Sequence, residues 1–242
     1  MPGKDKAAMR FVVIHDEPHA CAYRSGQTAR LPLRLPDHLI EPEELDRLLD
    51  QGDRRAGPTF YRPQCPSCRE CEPIRVPIDR FRPSRSQQRV YRRNASDIEV
   101  QLRPLVPTDR HLALFNRHKQ ERELSSDEDD LDLQSFQAYY ADSGVQTREV
   151  AYLAEGKLVA FSVLDLGEKS VSSVYHAFDP DESRRSLGVY SVLREIELFR
   201  DLGFRWYYLG LYVEDNPHLA YKAQYLPHER KRDGAWRPFG PD

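Results

Sequence analysis

No stretch of this sequence stays apolar for anything near the roughly 18 residues that a membrane-crossing helix needs. Nor does it open on the apolar core of a secretion signal: the start, MPGKDKAAMRFVVIHDEP, has only four apolar residues in a row. The expected compartment is therefore the cytoplasm, with no membrane among the partners. Cysteine is scarce, with four in 242 residues. In a reducing compartment such thiols serve as metal ligands, catalytic groups or plain reduced side chains rather than as disulfides. A large net charge is missing too: the formal value is −3, with 39% hydrophobic and 31% charged residues, which describes an ordinary globular protein. The overall charge carries no signature of nucleic-acid binding, so any such signal has to be local. Internal repeats and low-complexity tracts are absent.

What is present is concentrated. Three of the four cysteines, Cys65, Cys68 and Cys71, stand in YRPQCPSCREC, 61–71, and the fourth, Cys21, lies in HACAYRSG with His15 and His19 nearby. Four thiolates suit zinc or an iron–sulfur cluster, so convergence of all four on one site is expected. Reduced thiols packed together without metal are the competing reading. Directly after the triplet comes RFRPSRSQQRVYRRN, 80–94, in which Arg82, Arg85, Arg89, Arg92 and Arg93 recur every three or four residues. That spacing lines one side of a helix, capped by Ser84 or Ser86 and ended by Asn94. Such a strip is either a solvated face or an anion site, because the guanidinium fork suits phosphate and carboxylate alike. Tyr61 and Tyr91 stand near enough in sequence to stack. The acidic run ERELSSDEDDLD, 121–132, reads as a solvated loop.

The first region, 1–97, is rich in proline, arginine and turn residues, with short strand-like pieces in FVVI, RLPLRLP and IRVPI. Prolines at this density argue against long helices and central strands. From 98 to 242 the pattern becomes regular: a strand, two helices, three strands with a Glu155–Gly156 hairpin, a long helix over 186–203, a buried strand and a further helix starting at Pro217. The fold class is α+β: a Cys/Arg-rich N-terminal region followed by a mixed-sheet core whose element order resembles the GNAT (acyl-CoA N-acyltransferase-like) fold. In that fold a loop reading Q/R-x-x-G-x-G/A at the start of the long helix binds the pyrophosphate of acetyl-CoA through free backbone N–H groups. Here the loop is RSLGVY, with Arg185, Ser186 and Gly188 in place and Tyr190 where the last small residue belongs. The expectation is that the phenol ring fills the pyrophosphate space and disfavours CoA.

The stretch YRPQCPSCRECEPIRVPIDRFRPSRSQQRVYRRN resembles the signature of the bacterial aspartate/glutamate leucyltransferases, relatives of the eukaryotic arginyl-tRNA–protein transferases. VYHAFDPDESRRSLGVYSVLREIELFRDLG, YLGLYV and AYKAQYLP agree, so the resemblance runs from about Cys21 to about Pro227. It implies an enzyme that moves leucine from leucyl-tRNA to the N-terminal Asp or Glu of a protein and so marks that protein for N-degron proteolysis. The donor is an activated ester, and no cofactor is required for transfer. Tyr175 and Asp179, at the end of the strand before the donor loop, are the catalytic candidates, with a plain Asp179–Pro180 turn as the alternative. Arg75, Arg82 and Arg85 are candidates for the acceptor carboxylate or a tRNA phosphate, and Arg62 and Gln87 from the same motif join the substrate-binding set. Ser186 and Gly188 belong to the donor loop. Lys222, with Tyr221, is expected at the tRNA 3′ end or as a surface lysine. Val174, Leu187, Val189, Val192, Leu209 and Leu211 would suit leucine, whereas Asp179, Asp181, Glu182 and Glu214 leave arginine open as the transferred residue. Two other classes compete: a CoA-dependent N-acetyltransferase, and a non-enzymatic RNA-binding or metal-stabilised module.

Overall fold

A computed structural model describes residues 9–121 and 130–241; most of the acidic run lies outside the described residues. The first region holds β1 (Phe11–His15), β2 (His19–Ala20), β3 (Thr28–Ala29), β4 (Leu33–Pro36), α1 (Pro42–Gln51), β5 (Arg54–Ala56), β6 (Thr59–Tyr61), β7 (Glu72–Pro77) and α2 (Arg85–Asn94). The second holds β8 (Ile98–Arg103), α3 (Asp109–Glu121), α4 (Leu133–Phe136) continued by a π-type turn (Gln137–Ala141), β9 (Thr147–Ala154), β10 (Lys157–Leu166) and β11 (Ser170–Phe178). A 3-10 turn (Pro180–Arg185) leads into α5 (Leu187–Asp201), β12 (Trp206–Tyr212), α6 (Pro217–Ala220) with a 3-10 turn (Tyr221–Gln224), and the hairpin β13 (His228–Arg232)–β14 (Ala235–Phe239).

Eight strands form one sheet in the order β14-β13-β7-β12-β11-β10-β9-β8. Only β11 and β12 run parallel; the other pairs are antiparallel, so the fold is α+β with a large mixed sheet. β10 is buried at every position after Lys157, as a strand covered on both faces should be. It shares one core cluster with α5, through Val159, Leu164, Leu193, Ile196 and Phe199, and a second with α3 and α4, through Phe161, Val163, Leu114, Phe115 and Phe136. α5 reads as expected, its buried residues recurring at helical spacing. The Glu155–Gly156 turn takes φ of 50° and 76°, the left-handed pair that a two-residue hairpin needs. α2 is capped by Ser84, whose hydroxyl accepts from Gln87 N–H while the Gln87 side chain accepts from Ser84 N–H.

Three features depart from expectation. β7 is not a peripheral strand despite its prolines: it sits inside the sheet between β12 and β13. Pro73 and Pro77 fall near its two ends and leave Ile74–Val76, with donors intact, to make the ladder. Residues 72–77 of the first region therefore belong to the sheet of the second. α1 was not anticipated; it starts on Pro42, with the Glu44 carboxylate accepting from Glu41 N–H, and stops at Gly52 with φ 93°. The C-terminal hairpin also appears, turning on Asp233 (φ 49°) and Gly234 (φ 78°).

Candidate active site

β11 and β12 are in register only from Ser170–Trp206 to Ser172–Tyr208. Beyond that point the strands part, and the gap between them opens into a cavity of about 960 Å³. Val174, His176 and Phe178 of β11 form one wall and Leu209 and Leu211 of β12 the other, while Ser186 and Gly188 at the start of α5 close one end. A helix N-terminus leaves its first backbone N–H groups without helical partners, so this end of the cavity is a polar anchor beside apolar walls.

Splayed strands expose carbonyls that a neighbouring strand would otherwise satisfy. Two cations take them. Arg54 of β5 donates through Nη2 to Ser173 O (2.9 Å) and through Nη1 to Ser172 Oγ (3.2 Å). Lys222 donates through Nζ to Leu211 O (2.7 Å). Lys222 is buried, at 8% exposure, and burial together with the Arg54 charge lowers its pKa from 10.5 to about 7. Between them lies Gly210, with φ 95°, at a break in the β12–β7 register. A Cβ there would stand 3.1 Å from Arg54 Nη2 and 3.5 Å from Lys222 Nζ.

The cavity floor is a buried carboxylate. Glu195 of α5 accepts from Tyr152 Oη (2.7 Å), Ser162 Oγ (2.5 Å) and Tyr207 Oη, and burial raises its pKa. Since the single Ser162 hydrogen goes to Glu195, His176 Nδ1, 2.9 Å from Ser162 Oγ, is the donor in that contact.

Of the residues singled out by sequence, Tyr175, Ser186, Gly188, Tyr221 and Lys222 line the cavity. Lys222 is not a surface lysine. Asp179 is absent from the cavity lining; it is buried, caps the 3-10 turn and is paired with Arg110 (2.8 Å) and Arg117 (3.1 Å), which hold its pKa down against burial. Arg62 pairs with Asp53 at 3.0 Å, away from the cavity. Arg75 lies between the rings of Trp206 (3.8 Å) and Trp236 (4.0 Å) and bonds Asp50, Tyr208 and Glu229. Gln87 is buried in the α2 cap and donates to Gln224 O. Arg85, Arg89, Arg92 and Arg93 are exposed on α2, and Arg82, exposed ahead of it, braces the carbonyls of Asp79 and Phe81.

Tyr190 does not fill the pyrophosphate space. Its ring is 1% exposed, in the core against Tyr91 and Tyr152, because position 190 belongs to the inward stripe of α5. The space beside Gly188 is left open, and a Cβ there would meet only Phe178, at 3.8 Å.

The cysteines are neighbours: burial first, then the charges of Cys21, Cys65 and Cys68, push the Cys71 thiol up to about 12. Yet no group of three or more His, Cys, Asp or Glu among the described residues is arranged to hold a metal. Tyr23 N–H reaches Cys21 Sγ at 3.4 Å, and Arg24 is drawn towards Cys68. The four thiols thus stand near one another, in an arrangement that shows no metal-holding group among the described residues. Arg54, Ser162, His176, Glu195 and Tyr207 are among the cavity residues that sequence reasoning missed; Arg54 was one arginine among many, and Glu195 one acid in a helix.

The match to known proteins spans both halves. The family described as "Arginine-tRNA-protein transferase, N terminus" matches residues 19–89, and "Arginine-tRNA-protein transferase, C terminus" matches residues 110–232. The chain belongs to this family. It is 36% identical over 231 residues to an aspartate/glutamate leucyltransferase of Chromobacterium violaceum, covering 96% of this chain and 94% of that one. It is 37% identical over 230 residues to the protein of that name from Halorhodospira halophila, covering 94% and 97%. Family membership makes this chain an aminoacyltransferase that uses tRNA and protein substrates. Among solved structures, the C-terminal domain of a putative lysylphosphatidylglycerol synthetase from Agrobacterium fabrum superposes with a TM-score of 0.51 at 16% identity, over 83% of this chain and 64% of that one. That likeness concerns the fold alone.

Proposed function

We propose that this chain transfers leucine from leucyl-tRNA to the N-terminal Asp or Glu of acceptor proteins in the cytoplasm, tagging them for N-degron proteolysis. The observation that carries this reading is the identity of 36–37% over nearly the whole chain to aspartate/glutamate leucyltransferases. The cavity supports leucine over arginine. Val174, Phe178, Leu209 and Leu211 give it apolar surface, and of its two carboxylates Glu195 is already engaged by three hydroxyls and Glu121 is paired with Arg117. A guanidinium buried there would lack a dedicated partner.

The core reads as GNAT-like, the donor entering between the splayed strands at the start of α5, with the first region, 1–97, carrying the basic strip and the second, 98–242, most of the cavity. An aminoacyl ester is already activated, so holding the acceptor amine against its carbonyl supplies a large part of the acceleration. Tyr175, on the wall, would orient the donor; Arg82, ahead of α2, and Arg85, its first residue, are exposed and suit tRNA phosphates.

The test is incubation with leucyl-tRNA and arginyl-tRNA in separate reactions, each with peptides differing only in the first residue, and mass analysis of the products. Leucyl product on Asp and Glu peptides is expected; product only with arginyl-tRNA overturns the donor. One observation favours a second reading: with Tyr190 turned into the core, the helix start is open to a pyrophosphate. A thermal-shift scan with CoA and acetyl-CoA separates the two, and no shift is expected.

A further inference from the structure

We propose that Arg54 and Lys222 form a two-point site for the acceptor's first residue, Arg54 holding the Asp or Glu side-chain carboxylate and Lys222 facing the α-amine. The proposal rests on the transfer function above and assigns its specificity.

Arg54 has no carboxylate partner among the described residues: it bonds the Ser172 hydroxyl, the Ser173 carbonyl and the Tyr61 hydroxyl. A guanidinium has five N–H donors, so the remainder stay available to a ligand. Next to it, Lys222 spends one donor on Leu211 O. Two cations side by side, one of them largely dehydrated, make a site that gains from a bound anion. Both nitrogens lie within 3.5 Å of the point where a Gly210 Cβ would stand. Aspartate carries its amine and its carboxylate on adjacent carbons and glutamate one carbon further apart, so one acidic residue bridges the pair. Asparagine and glutamine have the same shape without the charge.

The chemistry balances. The α-amine nitrogen attacks the ester carbonyl; a C–N bond forms and the C–O bond to the terminal ribose breaks. The amine proton passes to neutral Lys222 and then to the departing ribose oxygen, which leaves as a hydroxyl. A lysine that titrates near 7 holds both forms at neutral pH. The charged group acting on it is Arg54 of β5, whose own surroundings include the hydroxyls of Tyr23 and Tyr61. Burial argues for a carboxylate here rather than a tRNA phosphate. Lys222 is 8% exposed and Arg54 sits where the strands part, whereas the arginines of α2 stand in solvent.

The test is steady-state transfer at saturating leucyl-tRNA to peptides beginning with Asp, Glu, Asn or Gln. Arg54→Gln is expected to lose about 100-fold in kcat/KM for Asp peptides while Asn peptides and the KM for leucyl-tRNA stay within about three-fold. Arg54→Lys keeps the charge on a shorter reach and is expected to shift preference from Asp to Glu, a change that misfolding cannot imitate. Lys222→Met is expected to lose kcat with all four peptides. Selectivity retained in Arg54→Gln together with unshifted preference in Arg54→Lys overturns the site. A raised, salt-dependent KM for leucyl-tRNA, with all peptides equally affected, overturns it in favour of a phosphate contact. Wild-type protein that transfers no leucine at all sinks the function itself, whereas wild-type transfer with unaltered variants sinks only this assignment.

Discussion

Ser172 and Tyr208 are the last residues of β11 and β12 to face each other in parallel register, and the cavity begins where their pairing stops. The same divergence decides where the cations go. Ser173 O and Leu211 O lie past the branch, and Arg54 and Lys222 bond them. Structural and chemical duties thus coincide in two side chains.

Lys222 should imprint a pH dependence on stability. In the unfolded chain it titrates near 10.5 and in the folded protein near 7. Between those values the unfolded state binds more protons, so stability rises with pH. The full difference is on the order of 4–5 kcal/mol. Lys222→Met should lack this rise. Denaturant unfolding of both proteins from pH 7 to pH 10 measures it, and a constant difference between them would contradict the burial of the ammonium.

Glu195 carries the opposite sign. Burial raises its folded pKa, so its ionisation costs stability at any pH above the ordinary carboxylate range, and the cost fades as pH falls into that range. Glu195→Gln keeps one acceptor oxygen for the Tyr152 and Ser162 hydroxyls, turns an amide N–H towards the Tyr207 oxygen, and removes the charge. Its melting temperature should exceed that of the wild type at pH 8 and converge with it near pH 4. A variant less stable at pH 8 than at pH 4, relative to wild type, would show that the carboxylate is well solvated by its three donors.

Arg55 and Asp165 form a fully buried bidentate pair at 2.6 and 3.1 Å. Arg55→Ala strands the carboxylate and should cost about 3–5 kcal/mol in urea unfolding. The double variant Arg55→Met, Asp165→Leu should recover most of that loss. No recovery would mean that the Arg55 bonds to Gly57 O and Tyr139 O matter more than the pair.

Arg85 and Arg89 are exposed, and neither is bonded to a described side chain. Replacing both by Ala should leave stability within about 0.5 kcal/mol per site. If α2 meets tRNA, the slope of log kcat/KM against log salt should become shallower by about one to two. An unchanged slope would remove α2 from the tRNA path.

Signals within one element were legible in sequence. The inward stripe of α5, the Glu155–Gly156 turn and the Ser84 cap all depend on neighbours a few residues away. The hairpin of β13 and β14 carries such a signal as well, Asp233–Gly234. β7 was misplaced because proline counts do not show which residue of a strand must donate. The cavity was legible on the side built from contiguous motif, Ser186 to Gly188 and Tyr221 to Lys222. Arg54 meets it only through β5, more than a hundred positions from Ser172 in sequence. The charge of Arg75 gave no hint of its burial, since the residues that enclose it come from β12 and β14.

That enclosure has a practical consequence. The chain has two tryptophans, Trp206 and Trp236, and both rings lie against the one guanidinium of Arg75. Tryptophan fluorescence, excited selectively near the red edge of the band, therefore reports on a single spot, the seam where the C-terminal hairpin meets β7 and β12. An emission shift on peptide or tRNA addition would register movement at that seam, and the cavity would stay dark to it.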